Sequence, residues 1–267
     1  LECIEVVAGL SHDTGAAVAA VPVTGEPGHW AFLSSGTWSL IGTELQDPLV
    51  SDDARKRNFT NEIGYGHRVR FLRNVIGLWL VQECRRKWAE DGMKHDYAEL
   101  GTMARQAVPF AHLIDPDDER FFNPADMPAA IAEFCRETGQ NEPVSPGAFV
   151  RCALESLALL YRRRIKTLSE LTGREFSRLH VIGGGSRNEL LNQFTADALG
   201  MPVIAGPAEA TALGNLAAQA LALGELPSLE EARRRIAKSC DLQVFQPGDD
   251  EDWAAASKRF DQLGSTE

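Results

Sequence analysis

The last third of the chain alternates short β-branched segments with helical ones, and this alternation constrains the fold more than any other feature. Residues 179–182 and 203–205 have the character of strands, whereas 188–199 and 209–223 have apolar residues at helical spacing, with Gly or Pro between the segments. Strands joined by helices through short loops run parallel in one sheet. The pattern therefore predicts an α/β fold.

The first forty-five residues predict further strands and a polar turn. The apolar segment Ile4–Leu10 predicts a buried strand, and Asp13 follows it closely. Between His29 and Glu44, two strand-like segments flank Ser34-Ser35-Gly36-Thr37, which predicts a β-hairpin with a polar tip.

The middle of the chain is predominantly helical in pattern. Pro146 suits the first turn of a long helix and Gly173 suits its end. No linker rich in Gly and Ser divides the chain, so we expect one domain, residues 1–267, with a helical insertion at about 90–145. The predicted helices span 74–88, 97–107, 129–138, 146–172, 228–239 and 249–263.

Charge and hydropathy exclude several classes of partner. The chain has 27 Lys and Arg against 38 Asp and Glu, a net charge of −11, which repels nucleic acid and anionic lipid. No apolar segment approaches the roughly 20 residues of a membrane span, and no leader is recognisable. The five cysteines lack metal-ligand spacing, which favours reduced thiols. We expect a cytoplasmic protein with no nucleic-acid or membrane partner.

Three local features are candidates for chemistry, each with a structural alternative. Gly183–Gly185, between a strand and a helix, suit either close approach of a nucleotide or simply a tight turn. The hydroxyls and amides of the 34–37 tip suit a phosphate, although turn geometry alone is the commoner reason for such residues. Asp13 suits a general base or, more often at such a boundary, a helix cap.

An amide pair is the fourth candidate. Asn74 and Gln82 lie eight residues apart on the helix predicted from 74, and so close to one face of it. These two amides suit a polar ligand, although the sequence slightly favours hydrogen-bond partners within the core. We predict no metal site formed by side chains.

Taken together and in order, these motifs resemble the C-terminal domain of the FGGY family of carbohydrate kinases. That domain has the ribonuclease-H-like fold of the actin and Hsp70 ATPases. The sequences of these motifs most resemble those of the subfamily that phosphorylates L-rhamnulose. The matching segments are 11–14, 32–40, 58–62, 74–86, 180–188 and 205–215.

The resemblance implies an ATP-dependent kinase that converts L-rhamnulose to its 1-phosphate, with Mg²⁺ carried on the nucleotide. Asp13 matches the family's proton acceptor, which takes the proton of the attacking sugar hydroxyl. The implied substrate-binding residues are His12, Asp13, Thr14 and Asn74, and the implied nucleotide-binding residues are Thr37, Gln82 and Gly184.

The resemblance covers only one of the family's two domains. Family members carry a similar N-terminal domain before this one, and the sequence has no counterpart of it. Because the family's catalytic cleft lies between two domains, we expect the isolated chain to be inactive or nearly so. Two alternatives remain: a kinase for another ketose or polyol, and a non-catalytic nucleotide-binding module.

Overall fold

A mixed β-sheet organises the chain in the computed structural model, which describes residues 6–24, 29–248 and 251–264. Strands are numbered in chain order. From one edge of the sheet to the other they are Thr60–Ile63 (β3), Val69–Ile76 (β4), Trp38–Leu45 (β2), Trp30–Ser34 (β1), Arg178–Ile182 (β5), Val203–Ala205 (β6) and Gln243–Phe245 (β7).

The centre of the sheet is parallel and its edges are antiparallel. β1 pairs in parallel with β5, and β5 pairs in parallel with β6, whereas the β1–β2, β2–β4, β3–β4 and β6–β7 pairs are antiparallel. The α/β prediction and the hairpin between β1 and β2 are confirmed. Because β1 and β5 are parallel neighbours, the turns that follow them meet at one edge of the sheet.

Helices pack on both faces of this sheet. The longest begins after Ser145, whose hydroxyl accepts a hydrogen bond from the amide of Ala148, and ends at Gly173 in the left-handed conformation. The helices are Asp13–Ala19 (α1), Asp52–Lys56 (α2), Trp79–Glu90 (α3), Tyr97–Gln106 (α4), Met127–Glu137 (α5), Pro146–Thr172 (α6), Glu189–Leu199 (α7), Ala210–Ala222 (α8), Leu229–Ser239 (α9) and Glu251–Leu263 (α10).

Two apolar cores follow from this layering. The larger one lies on the face covered by α3, α6 and α7, and the smaller one lies under α1, α8 and α9. None of the helices in the described part of the chain combines the length and apolar content that a membrane span needs.

The helix predicted from Asn74 is wrong at its start. Val75 and Ile76 pair with β2, so Asn74 lies on a strand, and the helix begins only at Trp79. The reversal between them is tight at Gly77, where a Cβ would come within 2.5 Å of the Gly36 carbonyl oxygen. The apolar residues on both sides of Gly77 happen to continue one helical spacing, which concealed the boundary.

The strand predicted at residues 4–10 is not observed in the part of it that the structure describes. Residues 6–10 have no regular secondary structure and Val6 is 91% exposed, whereas Ile4 and Glu5 lie outside the described residues. Asp13 therefore starts a helix that follows an irregular segment, not a buried strand.

Candidate active site

The hairpin tip and the triple-glycine turn are joined directly by backbone hydrogen bonds. The amide of Ser35 donates to the carbonyl of Ile182 at 2.8 Å, and the amide of Gly185 donates to the carbonyl of Ser35 at 2.9 Å. Gly183 adopts a φ of 83°, which favours glycine and directs the chain back against the tip. The two motifs therefore form one continuous wall.

The start of α3 is attached to the same tip. The amides of Leu78 and Trp79 donate to the carbonyls of Gly36 and Thr37, at 3.0 and 3.1 Å. These bonds satisfy amides that a helix start otherwise leaves unpaired, and they attach the first turn of α3, which leads to Gln82, to the tip that carries Thr37.

A cavity of about 700 Å³ opens beside this wall. Its volume lies within the range of small-molecule pockets. It brings together Thr37, Gln82 and Gly184, three residues that the sequence analysis assigned to nucleotide binding. Arg187, two residues beyond the glycines, also lines it. The remaining walls are Gly36, Leu78, Val81, Tyr97, Ala98, Leu100, Gly101, Arg105, Val150, Leu154, Gly185, Asn188, Glu189 and Leu190.

Two adjacent glycines in this wall differ in what requires them. A Cβ on Gly185 would overlap the side chain of Ser35, so internal packing demands glycine there. No described atom lies within 4 Å of where a Gly184 Cβ would stand, and Gly184 is exposed without a positive φ. Neither packing nor backbone conformation explains Gly184, whereas close approach of a ligand would.

Asp13 lies outside this cavity, at the first residue of α1, where it is exposed. Helix α8 connects the two places. The hydroxyl of Thr211 contacts the carbonyl of Asp13 at 3.4 Å, and Glu209, just before α8, forms an ion pair with Arg187 at 3.4 Å. The predicted base and the cavity thus both adjoin the start of α8.

Close packing fixes α1 against α8. A Cβ on Gly214 would overlap the carbonyl oxygen of Ala16, so this glycine allows the two helices to touch. No local motif in the sequence marks this role of Gly214.

Two buried arginines hold the two ends of α1. Nη1 of Arg70 donates to Oγ1 of Thr14 at 2.7 Å, near the start of the helix. Arg233 donates to the carbonyls of Val18 and Ala19, at 2.9 and 3.1 Å, at its end. Arg233 also forms a bidentate ion pair with Glu44, with both contacts at 2.9 Å.

Glu44 and Arg70 lie opposite each other on β2 and β4, and Glu62 lies opposite Arg70 on β3. Burial lowers the pKa of Arg70, while the charges of Glu62 and Glu44 raise it. This charge network crosses the sheet beneath α1. No local motif marks Arg70, Glu44 and Arg233, so the sequence alone does not reveal them.

Asn74 does not line the cavity that Gln82 lines. It borders a second cavity of about 780 Å³, at the edge of β4 beyond the residues that pair with β3. Asn74 and Arg70 lie four apart on β4 and so share one face of the sheet. The interpretation of Asn74 and Gln82 as two amides on one helix face is therefore wrong.

Among the described residues there is no group of three or more His, Cys, Asp or Glu side chains that could hold a metal ion.

Residues 31–223 match the family model described as the C-terminal domain of the FGGY family of carbohydrate kinases. The chain belongs to the FGGY family of carbohydrate kinases. This FGGY chain is 48% identical over 260 residues to a rhamnulokinase of Bacteroides thetaiotaomicron, covering 97% of this chain and 52% of that protein. It is 44% identical over 238 residues to a rhamnulokinase of Enterococcus faecalis, covering 88% and 47%.

Solved structures agree on the fold. Xylulose kinase from Rhodospirillum rubrum superposes with a TM-score of 0.69 at 17% identity, covering 94% of this FGGY chain and 49% of that chain. Plasmodium falciparum glycerol kinase with ADP gives 0.67 at 14% identity, covering 94% and 49%. The ribonuclease-H-like prediction is confirmed. The chain spans about half the length of the curated relatives it matches.

Proposed function

We propose that this chain is the nucleotide-binding part of a kinase that transfers the γ-phosphoryl group of ATP to L-rhamnulose, giving the 1-phosphate. In this proposal the kinase acts in the cytoplasm, where ATP is available. Support for the substrate comes from the rhamnulokinases that are 41–48% identical to it. The single structural observation that carries the proposal is the cavity shared by Thr37, Gln82 and Gly184.

The volume and the lining of the cavity suit a nucleotide. Leu78, Val81, Val150 and Leu154 give it an apolar interior, whereas Thr37 supplies a hydroxyl at the end next to the hairpin. This arrangement suits the flat aromatic base inside and the phosphates at the sheet edge, where open α/β sheets collect ligands. Gly184 leaves room for a ligand against bare backbone.

Asp13 acts in this proposal as the proton acceptor for the sugar hydroxyl. Its carboxylate is exposed and stands on a helix fixed at both ends. Phosphoryl transfer needs mainly positioning and charge stabilisation, so an ordinary carboxylate is adequate if it is well placed. His12 and Thr14, beside it, would contact the ketose, and Asn74 would contact it from β4.

Mg²⁺ would arrive bound to the phosphates of ATP. There it would neutralise phosphate charge during transfer. The contribution of this chain would be to hold the nucleotide and to accept the proton at the carboxylate of Asp13.

Calorimetric titration of the 267-residue chain with ATP and with ADP tests the nucleotide site first. We expect binding that Gln82→Ala weakens about tenfold, a loss of about 1.4 kcal/mol. The matched control is Gln219→Ala, an exposed glutamine on α8 that does not line the cavity. Absence of binding, or equal weakening by both variants, would reject the cavity as the nucleotide site.

Turnover needs a different preparation, because the relatives are about twice as long. We propose that activity requires a second, similar half, and that fusing this chain behind the N-terminal half of the Bacteroides thetaiotaomicron rhamnulokinase restores it. ADP release measured with a panel of ketoses and polyols should be fastest with L-rhamnulose. Faster turnover of another sugar would favour the first alternative, and nucleotide binding without turnover of any sugar would favour a non-catalytic module.

A further inference from the structure

Arg70 is an almost fully buried cation that packs against the first turn of α1. Its side chain is only 2% exposed, and Nη2 lies 3.5 Å from the position that a Cβ on Gly15 would take. Gly15 is two residues from Asp13, so the guanidinium lies directly behind the segment that would face the sugar.

Polar partners fix the orientation of this guanidinium. Nη2 contacts Oε2 of Glu62 at 3.0 Å and donates to the carbonyl of Ile63 at 3.2 Å. Nη1 donates to Oγ1 of Thr14 at 2.7 Å, while Nε is buried without a partner among the described residues. A planar guanidinium held on one side by Glu62 has little freedom to turn away from Thr14.

The contact with Thr14 continues to His12. Oγ1 of Thr14 lies 2.7 Å from Nδ1 of His12. A guanidinium only donates hydrogen bonds, so Oγ1 accepts from Arg70 and keeps its own hydrogen to donate. Among the described residues Nδ1 of His12 is the one acceptor within hydrogen-bond distance of that hydroxyl, so Oγ1 donates to Nδ1. A neutral imidazole that accepts at Nδ1 carries its hydrogen on Nε2.

We propose that Arg70 is a positioning residue for sugar recognition: through Thr14 it fixes His12 as the Nε2–H tautomer, which donates a hydrogen bond to an oxygen of the substrate beside Asp13. The role of His12 toward sugar rests on the proposed function. The result is a donor next to an acceptor, which suits a ketose presenting a reacting hydroxyl to Asp13 and a neighbouring oxygen to His12.

Nitrogen-15 NMR of the histidine-labelled 267-residue chain tests the relay without any catalytic assay. Spectra recorded at about pH 8.5, well above the ordinary histidine pKa, report the neutral tautomers. The His12 signals are identified by their loss in His12→Gln. We expect His12 to be present only as the Nε2–H form, and an Nδ1–H form in the unmodified chain would overturn the proposal.

Variants separate the relay from general packing. Arg70→Met and Thr14→Val should each return the tautomer ratio of His12 to that of a histidine in an unstructured peptide. Thr14→Ser, which keeps the hydroxyl, should retain the Nε2–H form. If Arg70→Met fails to fold, Thr14→Val still decides the question, and an unchanged ratio in Thr14→Val would overturn the relay.

The matched control is Arg68→Met. Arg68 also lies next to Glu44, at 3.8 Å, and pairs with Glu230 at 2.7 Å, but it has no contact with Thr14 among the described residues. It should leave the tautomer of His12 unchanged. An equal effect of Arg68→Met and Arg70→Met would show that loss of any arginine next to Glu44 perturbs His12, which would overturn the specific role.

Kinetics of the fused kinase distinguish failure of this inference from failure of the proposed function. Thr14→Val should raise the KM for the sugar about tenfold while the KM for ATP stays constant. A fixed Nε2–H tautomer in a protein that turns over no sugar would reject the proposed function and uphold the relay. An active kinase with His12 as Nδ1–H would do the reverse.

Discussion

The cavity wall and the segment that carries Asp13 are held in place by different kinds of interaction. The wall consists of two turns and a helix start joined by short backbone hydrogen bonds at the ends of β1, β5 and β4. The Asp13 segment is a seven-residue helix fixed by Arg70 and Arg233, whose charges are balanced by Glu62 on β3 and Glu44 on β2.

This difference determines which parts of such a site can be recognised in the amino-acid sequence. Backbone turns need particular residues in a row, and so the glycines and the Ser-Gly-Thr tip are visible as motifs. A seven-residue helix is too short to be stable by itself, so α1 depends on contacts that come from distant positions. Those contacts leave no local pattern.

The largest expected effect is on catalysis at Asp13. In the fused kinase, Asp13→Asn should lower kcat by about 100-fold to 10,000-fold, the usual contribution of a general base. Nucleotide affinity should stay constant, because Asp13 does not line the cavity. Steady-state ADP release and ATP titration measure the two quantities. Loss of nucleotide binding would show that the two regions are a single unit, and near-normal turnover would remove Asp13 from its role.

The charge network under α1 should give the largest effect on stability. Glu44→Gln leaves buried Arg233 without its balancing charge, and we expect it to lower the free energy of unfolding by about 3–5 kcal/mol. Urea unfolding measures this change. Glu231→Gln is the control, since Glu231 pairs with exposed Arg234 and Arg235 and should matter far less. Equal losses in both variants would contradict the importance of burial.

The adjacent glycines of the cavity wall should respond in opposite ways. Gly185→Ala should destabilise the fold by about 1–3 kcal/mol, because its methyl group overlaps Ser35. Gly184→Ala should leave stability within about 0.5 kcal/mol and weaken ATP binding instead. Thermal unfolding and calorimetric titration test the pair. A destabilising Gly184→Ala with normal ATP affinity would assign both glycines to packing.

His180 gives the smallest effect at neutral pH, because it makes the stability of the sheet between the two regions depend on pH only in acid. Burial lowers the pKa of His180 to about 3, helped by the charges of Arg178 and Arg233, and the ring packs edge-on to Trp30. Below the ordinary pKa of about 6.5 the unfolded chain binds a proton that the folded chain does not. The free energy of unfolding should therefore fall by up to about 1.4 kcal/mol per pH unit as the pH decreases.

His180→Phe should remove this part of the slope, as measured by urea unfolding at a series of pH values from 7 to about 4. The control is His67→Phe, an exposed histidine, which should keep the slope of the unmodified protein. Identical slopes in all three proteins would show that His180 is protonated in the folded state.

The fold was largely predictable, and its errors have identifiable causes. The strands β5 and β6 and the helix α6 carry strong local signals, whereas β4 ends in Val75 and Ile76, whose spacing continues into α3. One glycine, Gly77, separates the two elements, and an isolated glycine is also tolerated within helices. Asn74 was consequently assigned to the wrong element.

The candidate site was predictable from the sequence only where its residues lie close together along the chain. Thr37 and Gly184 stand out because each lies in a turn, and the parallel pairing of β1 and β5 brings those turns together. Glu44 and Arg233 are 189 residues apart, and Arg70 contacts Thr14 from 56 residues away. Charged residues at such separations are indistinguishable from surface residues until the fold is known.

The burial of the network beneath α1 also determines how the protein should respond to salt. Dissolved ions screen charges that face water but penetrate poorly to pairs as enclosed as Arg233 and Glu44, whose side chains are 5% and 6% exposed. Raising the ionic strength should therefore weaken the proposed binding of an anionic nucleotide in the cavity that Arg187 lines, since Arg187 is 72% exposed, while α1 keeps its place on the sheet.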